Sequence, residues 1–260
     1  MMLTSDSCFF EGWTEKEVLE TLKVIPRQQR DKDEGGKSKI NDRIKNTLGP
    51  KLGGETVRCL ILRDLDSHVD ETPTKIKQSV VACFKGLFRE RSFDEKIVAL
   101  TPHENFPNVF VFEATSPDIK VALHIAEYKY SEKFKNSTID DYILNLALRD
   151  ETVQQLIKNK KDIRRTEFLD AMTGEDEATK FDQIAAAVIK KVTEEIPRLL
   201  QDNNFPALKE AKQYLQFFSA ITQEPKSPSV ITKDIIKCAS DKAKNEILAP
   251  LFAALKFIST

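Results

Sequence analysis

Residues 57–67 read VRCLILRDLDS. The run from Val57 to Leu62 is short, aliphatic and partly β-branched, and it follows Gly53-Gly54. That composition predicts a strand covered on both faces, as in the interior of a parallel sheet. The strand then breaks into Asp64-Leu65-Asp66. Residues i and i+2 of an extended chain project to the same side, so Asp64 and Asp66 point together from the strand end. α/β folds place their chemistry at the carboxyl ends of such strands. Two carboxylates held side by side repel unless a cation lies between them, and hard divalent cations such as Mg2+ prefer carboxylate oxygens. An acidic strand end is also common as a plain solvated turn, so these residues need support from the rest of the chain.

Working outward toward the N-terminus, SCFFEG (Ser7–Gly12) is a second short apolar run, ending in Glu11-Gly12. Thr14 and Glu17 then form a capping-box pattern for a helix reaching about Leu22, with Val18, Leu19 and Leu22 on one face. Glu11 therefore occupies a strand-to-helix turn, the same kind of place as Asp64. Lys23–Pro26 reads as a brief strand. The string Gly35-Gly36-Lys37-Ser38 lacks the first glycine of a P-loop, having Asp31 at that position, and no buried strand precedes it. It is read as a loop entering a helix over 40–48, with Lys37 the residue there suited to meeting a phosphate.

Working outward toward the C-terminus, Thr72-Pro73 opens a helix whose apolar face carries Ile76, Val80, Val81, Phe84 and Leu87. Ile97–Pro102 and Val109–Ala114 read as strands, and 120–128 reads as strand-like while permitting a helix. Thr138 can cap a helix whose first turn holds Asp140 and Asp141, which suits the helix dipole and could also return carboxylates to a site. Strands alternating with helices argue for a parallel sheet. Beyond residue 150 the pattern turns helical: one long amphipathic helix over 181–200, then helices over 208–222 and 234–258. The predicted organisation is an α/β catalytic domain over 1–150 and a helical region over 151–260 packing on it.

Composition narrows the classes, without excluding a nucleic-acid binder that uses a local patch. Forty basic residues against 41 acidic ones give a net charge of −1 in 260 residues, which does not mark a nucleic-acid binder by bulk charge. Cys8, Cys59, Cys83 and Cys238 show no zinc-ligand spacing, and Cys8 and Cys59 lie in apolar runs suited to a core. His68, His103 and His124 have no triad or metalloprotease context. The first residues lack a signal-peptide pattern and no window is apolar enough to span a bilayer, so the expectation is a soluble cytoplasmic protein without a membrane partner.

FFEGWTEKEVLETL followed by VRCLILRDLDS resembles the Toprim fold, the acidic metal-binding domain of topoisomerases, primases and OLD-family nucleases. That family carries Glu-Gly after its first strand and Asp-x-Asp after a later one, matched here by Glu11-Gly12 and Asp64-Leu65-Asp66 over roughly residues 7–145. The resemblance implies a Toprim-like, mostly parallel central sheet flanked by helices, with a C-terminal helical region. It implies Mg2+ or Mn2+ at Asp64 and Asp66, with Glu11 as a further ligand or as a general base and Asp140 and Asp141 as further ligands, Asp140 standing where the family more often has Glu. In FPALKEAKQYLQFF it implies a catalytic lysine, Lys212, with Lys209 the alternative. The implied activity is metal-dependent hydrolysis of DNA or RNA, tRNA included. No tyrosine has the context of a topoisomerase nucleophile and no ATPase motif is present. Similarity to Toprim subunits that act beside an ABC-type ATPase in phage defence implies such a partner, and a homodimer is compatible with it. The alternatives are a non-catalytic Toprim-like binding or regulatory protein and a phosphoryl-transfer enzyme acting on a small molecule.

Overall fold

The computed structural model describes residues 3, 7–26, 39–65, 71–159, 169–174, 176–222 and 226–260. Its described residues form two compact units. One comprises Met1–Glu127, Asn136–Thr138 and Leu248–Thr260, the other Tyr128–Lys135 and Ile139–Ile247. The units therefore divide near residue 127 rather than at 150, and the last helix belongs with the sheet.

The sheet unit holds β1 (Cys8–Phe9), α1 (Trp13–Thr21), α2 (Ile40–Leu48), β2 (Val57–Asp64), α3 (Pro73–Glu90), β3 (Thr101–His103), β4 (Phe106–Thr115) and β5 (Asp118–Ala126). The strand order is β1-β2-β5-β4-β3. β1, β2 and β5 are mutually parallel, and β5, β4 and β3 form an antiparallel meander. The architecture is thus α/β with a mixed sheet, parallel on the side where the acidic residues lie.

The expected central strand is β2, paired along its whole length with β5. Its alternate residues Val57, Cys59 and Ile61 join Ile119, Val121 and Leu123 of β5 in one core. Ile40, Ile44 and Leu48 of α2, and Ile76, Val80, Phe84 and Leu87 of α3, complete that layer. The other face is covered by a helix from the end of the chain, Ala249–Ser259, which packs on β5, β4 and β2 and buries Leu251, Ala254 and Ile258.

Several elements differ from the sequence reading. α1 starts at Trp13 with Gly12 as its N-cap, and no side chain caps it. Thr14, expected as the cap, is buried inside the first turn. Residues 23–26 form a turn, with Lys23 at φ 58°, so no second strand occurs there. Residues 95–97 are a short 3-10 turn, and only Thr101–His103 pairs as an edge strand. The cysteines are all buried; burial pushes the Cys8 thiol up to about 12 and the Cys83 thiol to about 11, which suits core residues rather than reactive ones.

The second unit is helical: α4 (Ile139–Ala147), α5 (Asp150–Lys158), α6 (Glu177–Lys190), α7 (Ile196–Asp202), α8 (Ala211–Thr222), α9 (Pro228–Cys238) and α10 (Asp241–Ile247). The Ala249–Ser259 helix of the sheet unit is α11. The helix expected over 181–200 runs from Glu177 to Asp202 but contains a π turn at Lys191–Glu195. Pro197 explains it, because proline has no N–H to continue the α-helical ladder and crowds the carbonyl one turn back. The single helix expected over 234–258 is instead α9, α10 and α11. Among the described residues no helix is long and apolar enough to cross a membrane.

Candidate functional site

β1 and β2 run parallel in register, Cys8 beside Leu60 and Phe9 beside Ile61. Continued by two residues, that register sets Glu11 beside Arg63. Glu11 and Asp64 therefore leave the sheet at the same edge, from neighbouring strands, although Glu11 and Arg63 are 52 positions apart in the chain. β5 is parallel to β2 and ends at the same edge, with Ala126 paired to Asp64. The next residue is Glu127, whose carboxyl is held above its ordinary value by burial. Three adjacent parallel strands thus end in Glu11, Asp64 and Glu127. Sequence reading missed Glu127 because 120–128 permitted a helix, and only the pairing with β2 identifies it as a strand end.

Arg63 is the second residue that sequence reading missed. Its side chain is 6% exposed and its Nε donates to Glu11 Oε1, in an ion pair whose acid is 8% exposed. Its Nη2 donates to Glu71 Oε1 at 2.8 Å. A guanidinium can serve two carboxylates at once because its donors are fixed in a planar fork. In the strand pleat Arg63 follows Ile61 on the α2–α3 face, whereas Asp64 follows Leu62 on the opposite one. The main chain at Glu11 lies at the same end of the sheet as Asp64. The Glu11 carboxylate itself, however, is engaged by Arg63. Asp66 lies outside the described residues, as do Lys37 and His68.

The surroundings of Glu11 are built from local contacts. Arg43 of α2 stacks 5.9 Å from the ring centroids of both Phe9 and Phe10 and donates to the Phe10 carbonyl. Glu15, in the first turn of α1, is 3% exposed and folds back over Gly12. Lys16 is 4% exposed and lies 5.1 Å above the Trp13 ring. Beyond Asp64 the chain is held by Leu65, whose N–H and carbonyl both bond Ser137, at 2.8 and 3.1 Å.

The other expected site residues belong to the helical unit. Asp141 is 1% exposed and its Oδ1 accepts the Tyr130 N–H at 2.9 Å, fixing the segment before α4. Asp140 is half-buried beside it. Lys212 is exposed in the first turn of α8, and Lys209 is exposed just before it. Among the described residues no three of His, Cys, Asp and Glu are grouped so as to hold a metal ion. The described carboxylates alone therefore do not make a complete cation cage, and the fuller ligand set read from the sequence depends on Asp66. His124 is buried in β5, where desolvation pushes its pKa down to about 4; it is a neutral core histidine.

No protein-family model matches this chain, and comparison with curated proteins and with solved structures returned no match.

Proposed function

We propose that this chain is a Toprim-like metal-dependent nuclease that hydrolyses phosphodiester bonds of DNA or RNA. The observation supporting this reading is that three adjacent parallel strands end at one side of the sheet, with Glu11, Asp64 and Glu127 at or just beyond those ends, although the three carboxylates are not grouped. With Asp66, Glu11 and Asp64 would hold Mg2+ or Mn2+, which in such a site polarises the phosphoryl oxygen and acidifies the attacking water. Arg63 orients Glu11 through its buried ion pair. An ABC-type ATPase partner would supply the control that a phage-defence nuclease needs.

The engagement of Glu11 by Arg63 favours a second reading, a non-catalytic binding or regulatory protein in which the strand-end acids are structural. Incubation with tRNA, single-stranded DNA and duplex DNA in Mg2+ or Mn2+ separates the two. The nuclease reading expects metal-dependent cleavage that is lost in Asp64→Ala and in Glu11→Gln while both variants remain folded. Cleavage retained by both variants rejects this site. An unfolded Glu11→Gln beside an inactive wild type favours the structural reading.

A further inference from the structure

The helical unit contains a surface whose chemistry differs from that of the chain as a whole. Its first segment, Tyr128–Lys135, reads YKYSEKFK and carries three aromatic and three basic residues around Ser131-Glu132. It is bound to the start of α8 in two ways: the Lys135 N–H donates to the Lys209 carbonyl at 3.2 Å, and the Phe134 and Tyr214 rings lie 5.4 Å apart. A third tie, Tyr130 N–H to Asp141, fixes it to α4, and the Phe134 N–H closes a turn onto the Ser131 carbonyl at 2.9 Å. The segment is therefore braced against two helices.

These ties join a segment carrying Lys129, Lys133 and Lys135 to the start of a helix carrying Lys209 and Lys212. Against them stand Glu132 and Glu210, and Asp141, whose carboxylate accepts the Tyr130 N–H, so the five lysines face three acids, a local charge of +2 in a chain of net −1. Lys133, Lys135, Lys209 and Lys212 are exposed. Tyr128 keeps 38% of its surface exposed while its ring packs edge-on against Tyr142, at 5.3 Å, and Asn145 Nδ2 donates to its hydroxyl at 2.7 Å. It is thus an aromatic side chain held in one orientation and still open to solvent. A solvent-open aromatic ring and exposed lysines on one braced segment suit single strands, since every base has a face to stack and the backbone supplies regular negative charge. A duplex hides its base faces and would use only the lysines.

We propose that the Tyr128–Lys135 segment and the start of α8 form a binding surface for single-stranded nucleic acid. In naming a substrate class this rests on the nuclease reading, but binding itself needs no metal.

The test is fluorescence anisotropy with the full chain in EDTA, using labelled thymidine and uridine single strands of about 12 nucleotides, a usual site size for such surfaces, and a duplex of equal length. The single strands should bind more tightly than the duplex, and comparison of the two strands reads DNA against RNA. Lys133→Glu/Lys135→Glu should weaken single-strand binding at least tenfold. Lys133→Ala/Lys135→Ala should reduce the slope of log affinity against log salt by roughly 1.4, two contacts at about 0.7 each. Tyr128→Ala should weaken binding about tenfold, whereas Tyr128→Phe, which loses the Asn145 bond but keeps the ring, should bind like wild type. Wild-type affinity in Lys133→Glu/Lys135→Glu, or equal binding of polyglutamate, overturns the proposal. Single-strand binding without cleavage in any metal keeps it and removes a nuclease that acts alone. Metal-dependent cleavage with no effect of these lysines on binding or rate does the reverse.

Discussion

Gly12 is held to glycine by space rather than by backbone conformation. Its φ of −134° and ψ of 177° are open to any residue, but a Cβ there would come within 2.8 Å of Glu15 Oε2. Glu15 is 3% exposed, so its carboxylate has little room to retreat. Gly12→Ala should therefore destabilise the fold by about 1–3 kcal/mol, the usual cost of overpacking. Gly12→Ala combined with Glu15→Ala should remove most of the steric share, as read by urea midpoints in a double-mutant cycle. Arg63 carries a larger consequence. Its removal leaves two acids, one of them 8% exposed, without their shared cation, so Arg63→Ala should cost about 3–5 kcal/mol. His124 sets a pH dependence. Its folded pKa of about 4 lies below the ordinary 6.5, so the unfolded chain binds the proton first as pH falls. Its contribution is full above pH 6.5 and declines toward pH 4, by roughly 3 kcal/mol at 1.36 kcal/mol per pKa unit. His124→Leu should flatten this share of the stability-versus-pH curve, measured by chemical unfolding at several pH values.

At the scale of elements, the helices entered through recognisable signals were the easiest to read. Thr72 accepts the Lys75 N–H at 3.2 Å and Pro73 takes the first helical position, so α3 begins where its sequence says. Thr72→Ala should cost about 1 kcal/mol in thermal or urea unfolding. α1 was harder, because its capping-box pattern at Thr14 lost to an earlier start at Gly12, with Thr14 and Glu15 drawn into the interior. The long apolar stripe of α6 and α7 was legible as helix, but the π turn ahead of Pro197 was not, since hydrophobic spacing hardly registers one extra residue in a turn. The apolar tail likewise read as one helix, although its last part returns to the sheet as α11.

At the scale of the molecule, that return decides where the domain ends. α11 buries Leu251, Ala254 and Ile258 against the sheet face opposite α2 and α3. Leu251→Ala should then lower stability by about 2–5 kcal/mol, the range for a fully buried leucine. Deletion of residues 248–260 should uncover that face and make the sheet unit aggregate, which light scattering and limited proteolysis would detect. By itself, the sequence determined β2 as a buried strand ending in acid, β1 with Glu11-Gly12 at an analogous turn, and the helical character of the second half. Those features are local: apolar runs, caps and periodicity are written in consecutive residues. Tertiary structure alone decided that β5 ends beside β2 and brings Glu127 to the same edge, that Arg63 takes the Glu11 carboxylate, and that the end of the chain closes the sheet. The reason is physical: strand order, the partner of a buried charge and the covering of a sheet face are set by residues far apart in the chain, so no local pattern records them.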